Sequence, residues 1–103
     1  MADFIIAYFG GDKPSSEEEG RTQMGKFRAW VEGLGDSVVN PGTPLMGTKI
    51  VSSDEVKDED DPSPWNGYSI IKAENMDEAI EVSKSCPFLE TNGTLRVAQL
   101  MEM

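Results

Sequence analysis

Few side chains in this sequence could carry chemistry, and what is missing among them narrows the choice. The chain has no histidine and one cysteine, Cys86. It therefore cannot build a Ser-His-Asp or Cys-His nucleophile, a His-ligated zinc site or a thiolate cage, so no metal is expected. One thiol forms no internal disulfide and fits a reducing compartment. Cys86 stands just before Pro87, where a small apolar side chain packs well, so it reads as core rather than nucleophile. Among the carboxylates, Asp36 is the weak candidate for a general base. An Asp ionises near pH ~4 and is a useful base at neutral pH only if burial raises it. Tyr68 would then be the proton donor. For binding, the candidates are Tyr8, Asn40, Trp65 and Tyr68, because rings with one polar edge often line a pocket mouth. Turn chemistry explains Asp36 and Asn40 equally well, and Trp65 equally well pins a loop.

Charge removes further classes. Nine Lys+Arg against 19 Asp+Glu leave a net charge of −10. Residues 1–53 hold 7 acids and 5 bases, whereas residues 54–103 hold 12 acids and 4 bases. A field of this sign repels phosphate backbones and anionic headgroups, so neither nucleic acid nor membrane is expected as a partner. The run Asp54–Asp61 has six acids and one Lys. It lacks the sixth-position Gly and twelfth-position Glu of an EF-hand, whether begun at Asp54 or Asp58. With Pro62 and Pro64 after it, 53–65 reads as an acidic surface loop. No leader pattern precedes the first apolar run, and none approaches the ~20 residues of a membrane span. The expectation is a soluble cytoplasmic protein.

The elements that must position these residues follow from periodicity. With 103 residues there is room for one domain, 1–103. Asp3–Phe9 is β-branched and aromatic, ends at Gly10-Gly11, and suits a strand. Ser16 and Glu19 form a capping box ahead of a helix. Its apolar stripe is Met24, Phe27, Trp30, Val31 and Leu34, and Gly35 ends it. Ser37–Asn40 is a brief strand stopped at Pro41, and Lys49–Ser52 is a hairpin arm or extension. Gly67–Ala73 is the third main strand. Asn75 and Glu78 cap a second helix, which carries Met76, Ala79, Ile80, Val82 and Cys86 and stops near Pro87. After the Asn92-Gly93 turn, Thr94–Met101 is the last strand.

Two right-handed β-α-β units in this order predict an α+β fold of ferredoxin-like type, βαββαβ, with a four-stranded antiparallel sheet and both helices on one face. Along the first strand Phe4, Ile6 and Tyr8 face one way and Ile5, Ala7 and Phe9 the other, and both sets are apolar. Two helices cover one face only. The second face is left as an apolar patch of the kind that marks an interface, here with another subunit.

Gly67–Glu74, Met76–Glu81, Ser85–Leu89 and Gly93–Val97 together resemble the C-terminal half of the YCII-related proteins, and Val38–Leu45 is similar to that family's strand leading into its turn. The resemblance implies the dimeric α+β barrel, in which two ferredoxin-like sheets pack face to face. Relatives on that barrel include isomerases, dehydrohalogenases and cofactor-free monooxygenases. Some members carry a His on the first helix, others an Asp-Gly-Pro-Phe motif before the third strand. Here the helix position falls near Met24, and the Gly-Pro-Phe portion is absent around Asp54–Asp61. Two readings follow. One is a homodimeric binding or accessory module that takes a small aromatic or neutral molecule. The other is a cofactor-free enzyme acting on a small organic substrate through a carboxylate base. Neither requires a cofactor.

Overall fold

In the computed structural model, which describes residues 1–60 and 62–102, the four main strands form one antiparallel sheet. Asp61 of the acidic run and Met103 lie outside the described residues. The chain runs β1 (Ala2–Gly10), α1 (Glu17–Leu34), β2 (Val38–Pro44), β3 (Lys49–Val51), β4 (Val56–Asp58), β5 (Trp65–Ala73), α2 (Met76–Lys84) and β6 (Gly93–Gln99). Strand order is β2-β5-β1-β6, which puts the two most apolar strands in the middle. This is the expected ferredoxin-like fold.

The helix boundaries follow from local chemistry. Ser16 caps α1 by accepting from the Glu19 amide at 3.1 Å, and Glu17, Glu18 and Glu19 occupy the first turn, where carboxylates meet the positive end of the helix dipole. Gly35 ends α1 with a φ of 56°, a backbone that side chains with a Cβ resist. Asn75 caps α2 in the same way, through the Glu78 amide at 2.9 Å.

Three expectations need correcting. β2 does not stop before Pro41 but continues to Pro44, with irregular pairing between Asn40 and Thr43. Proline is tolerated there because β2 is an edge strand with one side free of ladder bonds. Cys86 is not on the second helix; it lies just past α2, ahead of a 3-10 helix over Pro87–Thr91. Pro87 cannot continue the α-helix but suits the first position of a new turn. The stretch 53–65 is not loop throughout, since β4 pairs with β3 in a hairpin. Lys49 pairs with Asp58 and Lys57 with Glu55, which relieves the like-charge block, and Val51 sits directly opposite Val56.

Alternation along the strands sorts the two faces. Phe4, Ile6 and Tyr8 of β1 and Ser69, Ile71 and Ala73 of β5 are buried beneath the helices, with Ala79 and Cys86 completing the core. The other face carries Ile5, Ala7, Phe9, Tyr68 and Ile70, and none of these is fully buried. Among the described residues no helix lies over it, and the molecule is a slab 43 × 41 × 18 Å. At one end of this face Phe9 stacks on Trp65 at 6.2 Å, and the Arg96 guanidinium lies 4.5 Å above the Phe9 ring. Among the described residues no helix is long and apolar enough to cross a membrane.

Candidate functional site

The apolar stripe of α1 is less buried than its spacing suggests. No residue of α1 is fully buried: Phe27, Trp30 and Leu34 pack against the core while Met24 stays 60% exposed. The N-terminal half of α1 thus stands off the sheet. Beneath it lies a hollow of about 300 Å³, bordered by Tyr8, Met24, Phe27, Phe88 and the Gly42–Pro44 stretch of β2. Its wall is an aromatic set, with Tyr8 edge-on to Phe27 at 5.8 Å and to Phe88 at 5.4 Å. Such pairs contribute about 0.5–1.5 kcal/mol each beyond burial and fix the rings in place.

Glycine makes the approach of these walls possible. A Cβ on Gly93 would lie 2.2 Å from the Phe88 ring, and one on Gly67 would lie 2.7 Å from the Thr43 carbonyl oxygen. Gly93 therefore lets Phe88 close one side, and Gly67 lets β2 lie close against β5 at the other.

The polar atoms of the site form a short relay. The Tyr8 hydroxyl is 2.6 Å from Ser69 Oγ, and Ser69 Oγ donates to the Pro41 carbonyl at 2.9 Å. Burial pushes the Tyr8 pKa well above the ordinary phenol range, only partly offset by the Ser69 hydrogen bond. The hydroxyl thus stays neutral across the physiological range. Burial likewise pushes the Cys86 thiol up to about 11, which holds it protonated beneath the site.

The residues singled out in the sequence do not converge. Tyr8 lines the hollow. Tyr68 borders it along β5, yet its register with Ala7 directs its ring to the opposite face of the sheet. Asn40 holds the irregular part of β2 together: its side-chain oxygen accepts from the Gly42 amide at 2.9 Å and its nitrogen donates to Thr43 Oγ1 at 3.1 Å. It braces a wall of the hollow from behind. Trp65, bonded through its indole N–H to the Gly67 carbonyl at 2.9 Å, stands at the foot of the β3–β4 hairpin. Asp36 is exposed in a 3-10 turn over Gly35–Ser37, and no carboxylate borders the hollow among the described residues.

Met24, Phe27, Ser69 and Phe88 carry the site and were not singled out for it. Met24 and Phe27 belong to the apolar stripe of α1. Their spacing says which face of α1 they share, not how far that face stands from the sheet. Phe88 was visible only as part of the Cys86-Pro87-Phe88 run. Among the described residues no group of three His, Cys, Asp or Glu side chains could hold a metal ion.

No family model matches this chain, and no curated protein matches it. A solved structure does resemble it: 5-chloro-2-hydroxyhydroquinone dehydrochlorinase (TftG) from Burkholderia phenoliruptrix AC1100, in complex with 2,5-dihydroxybenzoquinone, aligns with a TM-score of 0.60 at 19% identity. The alignment covers 98% of this chain and 95% of that one, so it spans the whole domain. The likeness establishes the shared fold, a ferredoxin-like α+β domain.

Proposed function

We propose that this chain is a YCII-like binding or accessory module, which acts as a homodimer and holds one small aromatic or neutral molecule per subunit beneath α1. The observation that carries the reading is the hollow itself. Its lining is almost wholly apolar, and three rings and a methionine surround it. A concavity lined mainly by apolar and aromatic side chains is the usual setting of a small-molecule site. The net charge of −10 disfavours anions.

The homodimer is supported by the uncovered sheet face. Ile5, Ala7, Phe9, Tyr68 and Ile70 form a contiguous apolar surface flanked by Lys72; among the described residues Trp65 and Arg96 pack on Phe9 at one end, and no helix lies over the rest. A second copy laid on it would convert the thin slab into a closed barrel with helices outside.

The alternative, a cofactor-free enzyme, is favoured by one fact: the structural neighbour is a dehydrochlorinase. Acid-base chemistry would need a group of suitable pKa at the hollow. Met24 fills the helix position where some YCII-related proteins carry a His, Asp36 is exposed on a separate turn, and Tyr8 is too weak an acid to exchange its proton readily near neutrality. Binding is therefore the first reading.

Two measurements test it. Sedimentation equilibrium should give twice 11.3 kDa; a monomer at dilute and concentrated loadings alike would refute the dimer. A thermal-shift screen of small aromatic compounds should find stabilisers whose effect weakens when Phe27→Ala opens the hollow. A screen with no shift at all would refute the binding reading.

A further inference from the structure

The hollow adjoins a second space beside α1. Between the N-terminal half of α1 and the Pro87–Thr91 turn runs a wider cleft of about 810 Å³, bordered among others by Pro14, Gly20, Gly25 and Pro87. Three residues border both spaces: Met24, Phe27 and Phe88. Two of these are held. Phe27 packs against Tyr8 at 5.8 Å and Trp30 at 5.6 Å, and the Trp30 indole N–H donates to Ser85 Oγ at 2.9 Å. Phe88 lies against Tyr8 at 5.4 Å, and so close to Gly11 and Gly93 that a Cβ on them would come within 2.9 Å and 2.2 Å of its ring. Met24 has no such restraint. It is 60% exposed, and its unbranched thioether chain turns about three bonds at little cost.

Size and charge say what could fill both spaces. The hollow, at about 300 Å³, lies at the lower end of the range for small-molecule sites, whereas hollow and cleft joined have room for more than one ring. The charged residues bordering the cleft are Asp12 and Glu17 against Arg21 and Arg28, which cancel. Glu17 pairs with Arg21 at 3.7 Å, and Asp12 accepts from the Asn92 side-chain nitrogen at 2.7 Å. Resting on the binding site proposed above, we infer that the cleft is a second lobe of that site, that Met24 is the movable partition between the lobes, and that the molecule taken is an uncharged aromatic of two linked rings. The inner ring lies against Phe27 and Phe88. The outer ring passes Met24 and rests between Gly25 and Pro87, where the gain is burial of apolar surface and needs no polar contact. A Cβ on Gly25 would meet nothing within 4 Å, so the helix leaves that space open.

The test compares phenol with 4-hydroxybiphenyl, one ring against two, both uncharged at neutral pH. Binding is followed by chemical-shift titration of the wild-type protein, labelled on its amides and methionine methyl groups. Both compounds should shift residues of the hollow such as Tyr8, Thr43 and Phe88. The two-ring compound should bind about tenfold more tightly and should also shift the Gly20 and Gly25 amides and the Met24 methyl group. Gly25→Leu fills the cleft at a position where the fold has room, and should cut that tenfold preference to about twofold or less. Shifts from 4-hydroxybiphenyl confined to the hollow, or a preference that survives Gly25→Leu, overturn the second lobe and leave the hollow as a one-ring site. A Met24 methyl group that does not respond while Gly20 and Gly25 do overturns the partition. If neither compound shifts any residue of the hollow, the site reading falls and the second lobe with it.

Discussion

Replacing Tyr8 by Phe removes one oxygen from the relay, and the consequence should depend on whether Ser69 is present. In the wild type, Tyr8→Phe takes away one buried hydrogen bond but leaves Ser69 bonded to the Pro41 carbonyl at 2.9 Å. The loss should be about 0.5–1.5 kcal/mol, the net worth of one such bond. Ser69→Ala is the harsher change. It strands the Tyr8 hydroxyl, in a side chain only 6% exposed, without the partner 2.6 Å away. An unsatisfied buried donor costs about 1–3 kcal/mol, while the Pro41 carbonyl can turn to water because Pro41 is exposed. Adding Tyr8→Phe to Ser69→Ala then deletes the stranded hydroxyl, so the second substitution should be neutral or stabilising. The sign of the Tyr8→Phe effect thus changes with the background, giving a coupling of about 1–2 kcal/mol in a double-mutant cycle. Urea unfolding of the four proteins at one fixed protein concentration measures it. For a domain near this size, each 1 kcal/mol also moves Tm by about 4–8 °C. Additivity of the two substitutions within about 0.3 kcal/mol would refute the relay.

Two further outcomes are expected. Gly93→Ala places a Cβ 2.2 Å from the Phe88 ring; the ring must swing away, which should destabilise the fold by about 1–3 kcal/mol and weaken the thermal stabilisation by small aromatic compounds, measurable by urea unfolding and the thermal-shift screen, whereas wild-type values in both would show that Phe88 does not form the wall. For Cys86, the folded pKa of about 11 lies above the ordinary thiol value of 9.0, so the folded state holds its proton where the unfolded chain releases it. That contribution is complete below pH 9.0 and drains away as pH rises towards about 11. Stability should fall across this window, Cys86→Ala should flatten its lower part, and the folded thiol should resist alkylation at neutral pH. Rapid alkylation of the native protein would contradict the burial.

Much of the architecture was legible because short-range rules govern it. Ser16 with Glu19 and Asn75 with Glu78 mark two helix starts, Gly35 a helix end, and the β-branched runs of β1 and β5 the two central strands. The apolar alternation of Phe4–Phe9 on both faces also announced a sheet with more greasy surface than two helices can cover. Two of the misread stretches turn on strand pairing that residue type alone does not reveal. β2 passes through Pro41 because an edge strand tolerates it, and edge position is a property of the whole sheet. The acidic run yields a strand because Lys49 and Val51 come to lie across from Asp58 and Val56.

The candidate site was legible only in part, for a related reason. Composition alone closed histidine, zinc and disulfide chemistry, because absent side chains stay absent in any fold. Tyr8 borders the hollow, but Tyr68, two residues beyond Asn66 in the irregular stretch of β5, ends on the other face of the sheet. Nothing local in the sequence distinguishes Ser69 as a serine that hydrogen-bonds a tyrosine 61 positions away. Residue type and periodicity follow from the chain itself, and they settled the elements, the caps and the excluded chemistries. Which rings meet, how far α1 stands from the sheet and which hydroxyl lies against Tyr8 are set by contacts between segments far apart in sequence, and so exist only once the chain has closed on itself.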